Sequence, residues 1–292
     1  MIEQVTVNAL IVGCGAALLA LALSLVRSAA GFFDFALAGN YTFAAYLTYA
    51  LLSCGSSTAF AIAASILLAV ACAVLTHFGL YQPLRRLGAT PEVLLIASLS
   101  LLLLFQNGLP LVFGDAILSL PGNALRNNAI HLSSRGVTTV ECAIVILTAA
   151  VTGTLILVLQ YTELGLQMRA LAQDRELSRI YGVRPQRILF SAVVVSASLA
   201  ATIGVLNGFD NDLVPTMGFR AVLLAAVAAV VGGGGSIPGV VVGALLVAGA
   251  QQLVALSLPV QWQDTIVFSC LIIFVVWRPN GIFGRSVAGI RA

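Results

Sequence analysis

The chain has 292 residues, of which 60% are hydrophobic and only 9% charged, where a soluble globular chain carries about 25% charged residues. With a mean hydropathy of +1.06 there is too little charge to coat a water-facing surface, and a soluble fold is excluded. The formal net charge is only +3 and every basic side chain apart from two histidines is arginine, which gives no footprint for nucleic acid and excludes a Walker A loop with its phosphate-reaching lysine.

Apolar runs long enough to cross roughly 30 Å of hydrocarbon as helices recur along the chain. They are continuously apolar, not alternating, which favours helices over a barrel. The predicted spans are residues 5–26, 31–54, 57–79, 92–113, 138–160, 187–208, 218–234, 237–257 and 260–278. The opening MIEQVTVNAL carries an acid and no basic residue before its apolar run, so it reads as the first span and not as a signal peptide. Segment 31–54 contains Asp34, Gly39 and Asn40, which suggests a broken helix. Segment 218–234 is short and runs into Gly232, Gly233, Gly234 and Gly235, which suggests a half-span. The expected fold class is therefore all-α: one polytopic transmembrane helix bundle over 1–292, with about eight or nine spans and one or two broken or re-entrant helices.

Arginine placement sets the expected orientation. With the N-terminus outside, Arg27, Arg85, Arg86, Arg169, Arg175, Arg179, Arg184, Arg187, Arg278, Arg285 and Arg291 fall on one side of the membrane. Only Arg126, Arg135 and Arg220 fall on the other. The first side is expected to be cytoplasmic, with the C-terminus on it. Three polar stretches separate the spans: an inner loop at 81–91, an outer loop at 114–137 and a long charged inner segment at 161–187. The last is predicted to be helical, because Leu164, Met168 and Leu171, then Leu177, Ile180 and Tyr181, recur at three-to-four spacing. Gly182 and Pro185 end it.

Four patches, in order, resemble the permease subunits of the branched-chain amino acid ABC transporter family, which also handles urea and short amides. They are Gly31-Phe32-Phe33-Asp34-Phe35-Ala36-Leu37-Ala38-Gly39 with Ala45-Tyr46; Tyr81-Gln82-Pro83-Leu84-Arg85 with Phe105-Gln106-Asn107; Thr162, Gly165, Arg169-Ala170, Asp174 and Gly182; and Met217-Gly218, Gly232-Gly233, Ser236-Ile237-Pro238-Gly239, Gly243 and Arg278 to Gly284. Leu37 stands where the family usually has His, and Asp34 where it has Asn or Ser. The resemblance implies a transport subunit in a bacterial inner membrane with no ATPase site of its own. It implies ATP-Mg on two cytoplasmic ATP-binding subunits, a second permease subunit, identical or homologous, and an external solute-binding protein. It assigns Gly165, Arg169, Ala170, Asp174, Arg175 and Gly182 to the ATPase-coupling interface; the alternative is a solvated linker.

The expected solute pathway comprises Asp34, Phe35, Asn40, Tyr41, Gln106, Asn107, Asn207, Gly233 and Gly234. A charge at mid-membrane costs about 2.5–3.5 kcal/mol on the insertion scale, so Asp34 needs a partner or a wet cavity. It either meets a cationic amino group of the solute or caps the following helix and pairs with Arg27. Gln106, Asn107 and Asn207 can serve the solute or another helix. The glycine run reads either as a helix break beside the path or as close helix packing. Asp210 and Asp212 read as outer-loop residues open to a binding protein. Cys14, Cys54, Cys72, Cys142 and Cys270 are scattered, and His77 and His131 stand alone, so no metal site, bound cofactor or nucleophile–base pair is expected. The competing reading is a secondary transporter or channel working without ATP; the acids open to ion coupling are few, namely Asp34, Glu141 and Asp264.

Overall fold

The computed structural model describes residues 2–120, 129–130, 137–173, 178, 181–182, 184–233, 235–255, 262–277 and 281–283. Eleven α-helices carry the fold among these residues: α1 (Ile2–Ala30), α2 (Ala36–Ser53), α3 (Thr58–Thr76), α4 (Gln82–Arg86), α5 (Pro91–Phe113), α6 (Thr139–Tyr161), α7 (Glu163–Gln173), α8 (Pro185–Asp210), α9 (Met217–Gly232), α10 (Ile237–Val254) and α11 (Trp262–Trp277). A π-helical turn, His77–Tyr81, joins α3 to α4. A two-residue antiparallel ladder, β1 (Ala129–Ile130) with β2 (Val137–Thr138), is the only named sheet among the described residues.

Each of the nine predicted spans coincides with an apolar helix. Among the described residues, six stretches are long and apolar enough to cross a membrane: Val5–Ala30, Thr58–Arg86, Pro91–Phe113, Thr139–Tyr161, Pro185–Asp210 and Ile237–Val254. Two predictions are refined. The break in segment 31–54 falls at 31–35, before α2 begins, and α2 runs unbroken through Gly39 and Asn40. Gly31, with φ of +82°, takes the left-handed turn that ends α1. In segment 218–234, α9 has 16 residues, or about 24 Å at 1.5 Å per residue, which is shorter than the hydrocarbon layer.

Helix α1 is the hub. It packs against α6, α8, α9 and α10, and its middle is buried all round, with Leu18, Leu19, Leu21 and Leu23 at 1% exposure or less. That explains a helix without a polar face. Helix α2 lies among α3, α5, α8 and α9. Lipid tails are as apolar as leucine, so packing of small residues and interhelical hydrogen bonds must hold such a bundle together. Ala17, Ala20, Ala38, Ala44, Ala200, Ala228 and Ala244 are all fully buried. A side chain at Gly204 would run into the backbone of Tyr41, and one at Gly218 into Ala38 and Thr42. Thr48 donates to Ser65 at 2.8 Å between α2 and α3, and Thr148 donates to the Cys14 carbonyl at 3.1 Å between α6 and α1.

At the predicted outer side, Leu118 and Leu213 form an antiparallel bridge between the segments that follow α5 and α8. Ser119 donates to Asp212 at 3.1 Å, and Thr138 approaches Asp210 at 3.4 Å. The two acids therefore tie the outer loops together. Thr138 and Glu141 form a capping box at the start of α6.

Candidate functional site

The break between α1 and α2 is gripped at both ends. After α1 stops at Ala30, Arg85 on α4 donates Nη2 to the Ala30 carbonyl at 3.0 Å, meeting one of the carbonyls a helix C-terminus leaves open. Its guanidinium lies 5.8 Å from the Phe32 ring centroid. Before α2 starts, Asp34 accepts from the Ala36 N–H at 3.0 Å and from the Tyr81 hydroxyl at 2.7 Å. Both bonds land on Oδ1. The charge on Arg85 also attracts the carboxylate, which is buried at 5% exposure. Ser98 on α5 completes the grip, receiving the Phe35 N–H at 3.2 Å.

Arg27, the partner of Asp34 on one of its two readings, instead lies 5.0 Å over the Phe33 ring. Tyr81 and Arg85 take that part because the π-helical turn ends at Tyr81 and α4 carries Arg85 one turn further on. The Phe32 ring stands edge-on to Tyr81, with centroids 5.6 Å apart.

Asp34 and Asn40 line one small cavity with Thr76, Cys72, Tyr81 and Phe105. The cavity volume is about 20 Å³, room for roughly one water and too little for an amino acid. Asn40 donates to the Ala197 carbonyl of α8 at 3.2 Å, while its Oδ1 has no partner. Higher on α2, the Asn207 amide of α8 donates to the Tyr41 hydroxyl.

The remaining expected pathway residues are dispersed. Phe35 is half-buried beside the break. Gln106 is half-buried on α5, and Asn107 is exposed, its Nδ2 donating to the Leu103 carbonyl at 2.7 Å. Gly233 is packed on Gly281: a Cβ on Gly281 would come within 2.5 Å of the Gly233 backbone. Here Ile282 N–H donates to the Val231 carbonyl at 2.9 Å and Phe283 N–H to the Gly232 carbonyl at 3.2 Å. Gly232 also meets Gly239 and Gly243 where α9 crosses α10. The glycine run thus makes close contacts with the α10 helix and the C-terminal segment. Gly234, Asp174 and Arg175 lie outside the described residues.

Helix α7 begins directly after α6. The Thr162 hydroxyl receives the Gly165 N–H at 3.3 Å, and Gly165 is packed so closely that a Cβ would strike the Leu159 backbone. Leu171 is 2% exposed and Met168 packs on the core. Arg169 is exposed, with Nε 3.4 Å from the Gly165 carbonyl. Ala170 is half-buried, and Gly182 is exposed with φ of +80°. The helix therefore lies against α1, α6 and α8 and turns its charged side outward.

The sequence model of the family described as "Branched-chain amino acid transport system / permease component" matches residues 5–276. The chain belongs to this family. Among curated members of the permease family, it is 29% identical over 292 aligned positions to the high-affinity branched-chain amino acid transport system permease protein LivH of Salmonella typhimurium (strain LT2), covering 95% of this chain and 94% of the relative. It matches LivH of Escherichia coli (strain K12) at the same identity and coverage. It is 30% identical to the permease protein BraD of Pseudomonas aeruginosa, over 97% of this chain and 95% of that one. Among solved structures, PsaBC from Streptococcus pneumoniae in complex with Fab shares the fold, with a TM-score of 0.50, 14% identity, and coverage of 94% of this chain and 92% of that chain. The chain is thus a multi-pass permease component. Tyr81, Arg85 and Ser98 were not singled out by sequence as site residues. The signal for the first two lies in their spacing of four residues in an inner loop, which places both side chains on one helix face.

Proposed function

We propose that this chain is the membrane-spanning permease subunit of an ABC importer for a small amino-acid-like or amide solute. It works in the bacterial inner membrane, N-terminus outside and C-terminus inside. Two cytoplasmic ATP-binding subunits supply the ATP-Mg; this chain binds no cofactor and carries no catalytic site. A second permease subunit completes the path, and an external binding protein delivers the solute.

The observation that carries the reading is α7. It is an amphipathic helix anchored to the core by Gly165, Met168 and Leu171 with Arg169 outside, in a chain of the permease family. A partner's groove can take such a helix, with flanking charges fixing the register. Asp174 and Arg175 extend this contact. ATP-driven closure of the partner subunits then moves α7, and with it α1, α6 and α8, switching the path between outward-open and inward-open. Family membership and the relatives' role in branched-chain amino acid transport support this class of solute.

The test is reconstitution of the assembled transporter in proteoliposomes, with radiolabelled leucine, urea and acetamide as probes. Arg169→Glu is expected to leave ATP hydrolysis measurable while uptake falls. Unchanged uptake in that variant removes α7 from the coupling path. Uptake by the chain alone, with no ATP-hydrolysing partner, overturns the whole assignment.

A further inference from the structure

The exposed faces of two neighbouring spans differ in chemistry. Past the exposed Thr58 at its start, the exposed residues of α3 are Ala59, Phe60, Ala63, Leu67, Leu68, Ala71 and Leu75, all apolar, as hydrocarbon requires. On α5 it includes Ile96, Ser100, Leu103, Asn107 and Leu111. Ser100 satisfies its own hydroxyl by donating to the Ile96 carbonyl at 3.0 Å. Asn107 does not. One N–H reaches the Leu103 carbonyl; its second N–H and its Oδ1 have no partner among the described residues. Asn107 is also the one amide among those residues that is exposed more than a turn from the end of a long apolar helix.

The backbone beside Asn107 adds a second, independent feature. Pro110 lies inside α5 and has no N–H, so it withholds the bond that the Gln106 carbonyl would otherwise receive. Gly108, between them, has open space where a side chain would be. Two amides and a released carbonyl are thus gathered about 9 Å from the helix end at Phe113, counted at 1.5 Å per residue. Backbone released at membrane depth is tolerated only where protein or a water-filled cavity meets it. The helices of this chain leave the Asn107 side uncovered. A close helix–helix seam favours small residues, whereas Leu103, Leu104 and Leu111 around Asn107 are 57%, 64% and 88% exposed.

We propose that the face of α5 around Asn107 lines the water-filled solute path, and that Asn107 hydrogen-bonds a neutral or zwitterionic solute as it passes. This rests on the transport reading above and narrows its solute class. The patch offers donors and acceptors but no charge; the one ionisable residue of α5 is Glu92, at the opposite end. A solute with a net charge would find no counter-ion among the residues of this helix face.

The test uses the assembled transporter with its native cysteines replaced. Asn107→Cys and Ser100→Cys on α5 are compared with Ala63→Cys and Ala71→Cys on α3. The pairs are matched in depth: Asn107 is six residues from Phe113 and Ala63 five from Thr58, while Ser100 and Ala71 are each thirteen residues from those ends. The probe is a charged, membrane-impermeant methanethiosulfonate, which needs a hydrated thiolate. Each α5 cysteine is expected to react at least about tenfold faster than its α3 counterpart. Equal, slow reaction of all four puts α5 in lipid and overturns the inference. Slow reaction of Asn107→Cys together with a disulfide to a neighbouring permease makes this a dry seam and overturns it as well. If Asn107→Cys fails to assemble, the Ser100 and Ala71 pair decides. ATP-coupled uptake of the same probe solutes is measured in the cysteine-replaced parent. Slow α5 labelling with intact coupling sinks this inference alone, whereas uptake without the ATP-hydrolysing partner sinks the reading beneath it.

Discussion

Replacing Tyr81 with Phe isolates one hydrogen bond at the break between α1 and α2. The ring stays edge-on to Phe32 at 5.6 Å, so packing is conserved and only the hydroxyl donating to Asp34 at 2.7 Å is lost. Hydrogen bonds to charged groups contribute about 1.5–3 kcal/mol, and the stranded acceptor is buried; the expected destabilisation is therefore about 2 kcal/mol. Asp34→Ala is expected to cost more. It also removes the acceptor for Ala36 N–H, a loss of about 0.5–2 kcal/mol for a helix cap, and removes a negative charge that attracts Arg85. The two side chains are in direct contact, so their effects should not add. In the Asp34→Ala background, Tyr81→Phe is expected to cost less than about 0.5 kcal/mol. The assay is reversible denaturation in detergent micelles by SDS titration, read by circular dichroism, on the two single variants and the double variant. If Tyr81→Phe costs the same with and without Asp34, the reasoning fails and the hydroxyl acts elsewhere.

Four other outcomes follow from glycine packing and topology. Gly204→Val should lower folded yield and thermal stability, by about 1–3 kcal/mol for overpacking, because its side chain meets the Tyr41 backbone. Gly153→Ala, with nothing within 4 Å, should stabilise its helix by about 0.5–1 kcal/mol; thermal denaturation of both variants checks the contrast. Gly281→Ala should be destabilising in the same assay, since φ there is +77° and the Gly233 backbone blocks a side chain. Alkaline phosphatase fused after Arg175 should be inactive, and activity there would invert the orientation.

The spans were legible because each is a continuous apolar run, a property of neighbours in sequence. The break at 31–35 was legible in kind, from Asp34, but Gly39 and Asn40 drew it too far along. Both are buried against other helices: Gly39 makes room for the Phe105 ring, and Asn40 bonds to α8. Residues that look like helix breakers from sequence are here tertiary contacts. The partner of Asp34 was not legible, because Tyr81 and Arg85 lie on α3–α4 and reach it only through the hairpin and a π-helical turn that no local propensity announces. The glycine run was legible as a break, but its contacts with Gly281, Gly239 and Gly243 were not, because they join residues apart in sequence. The α7 helix was visible as a three-to-four repeat, since an amphipathic surface helix writes its burial pattern directly into its sequence.

The N–H groups of Ile282 and Phe283 close the carbonyl end of α9, a helix made much earlier in synthesis. While the ribosome is still emitting α10 and α11, α9 sits in the bilayer with that end unfinished. Its last two carbonyls meet these partners only when residues 282 and 283 have emerged. The finished end of α9 therefore waits on a segment made about fifty residues later, and a nascent chain stalled before Gly281 should expose the unpaired Val231 and Gly232 carbonyls to quality-control proteases.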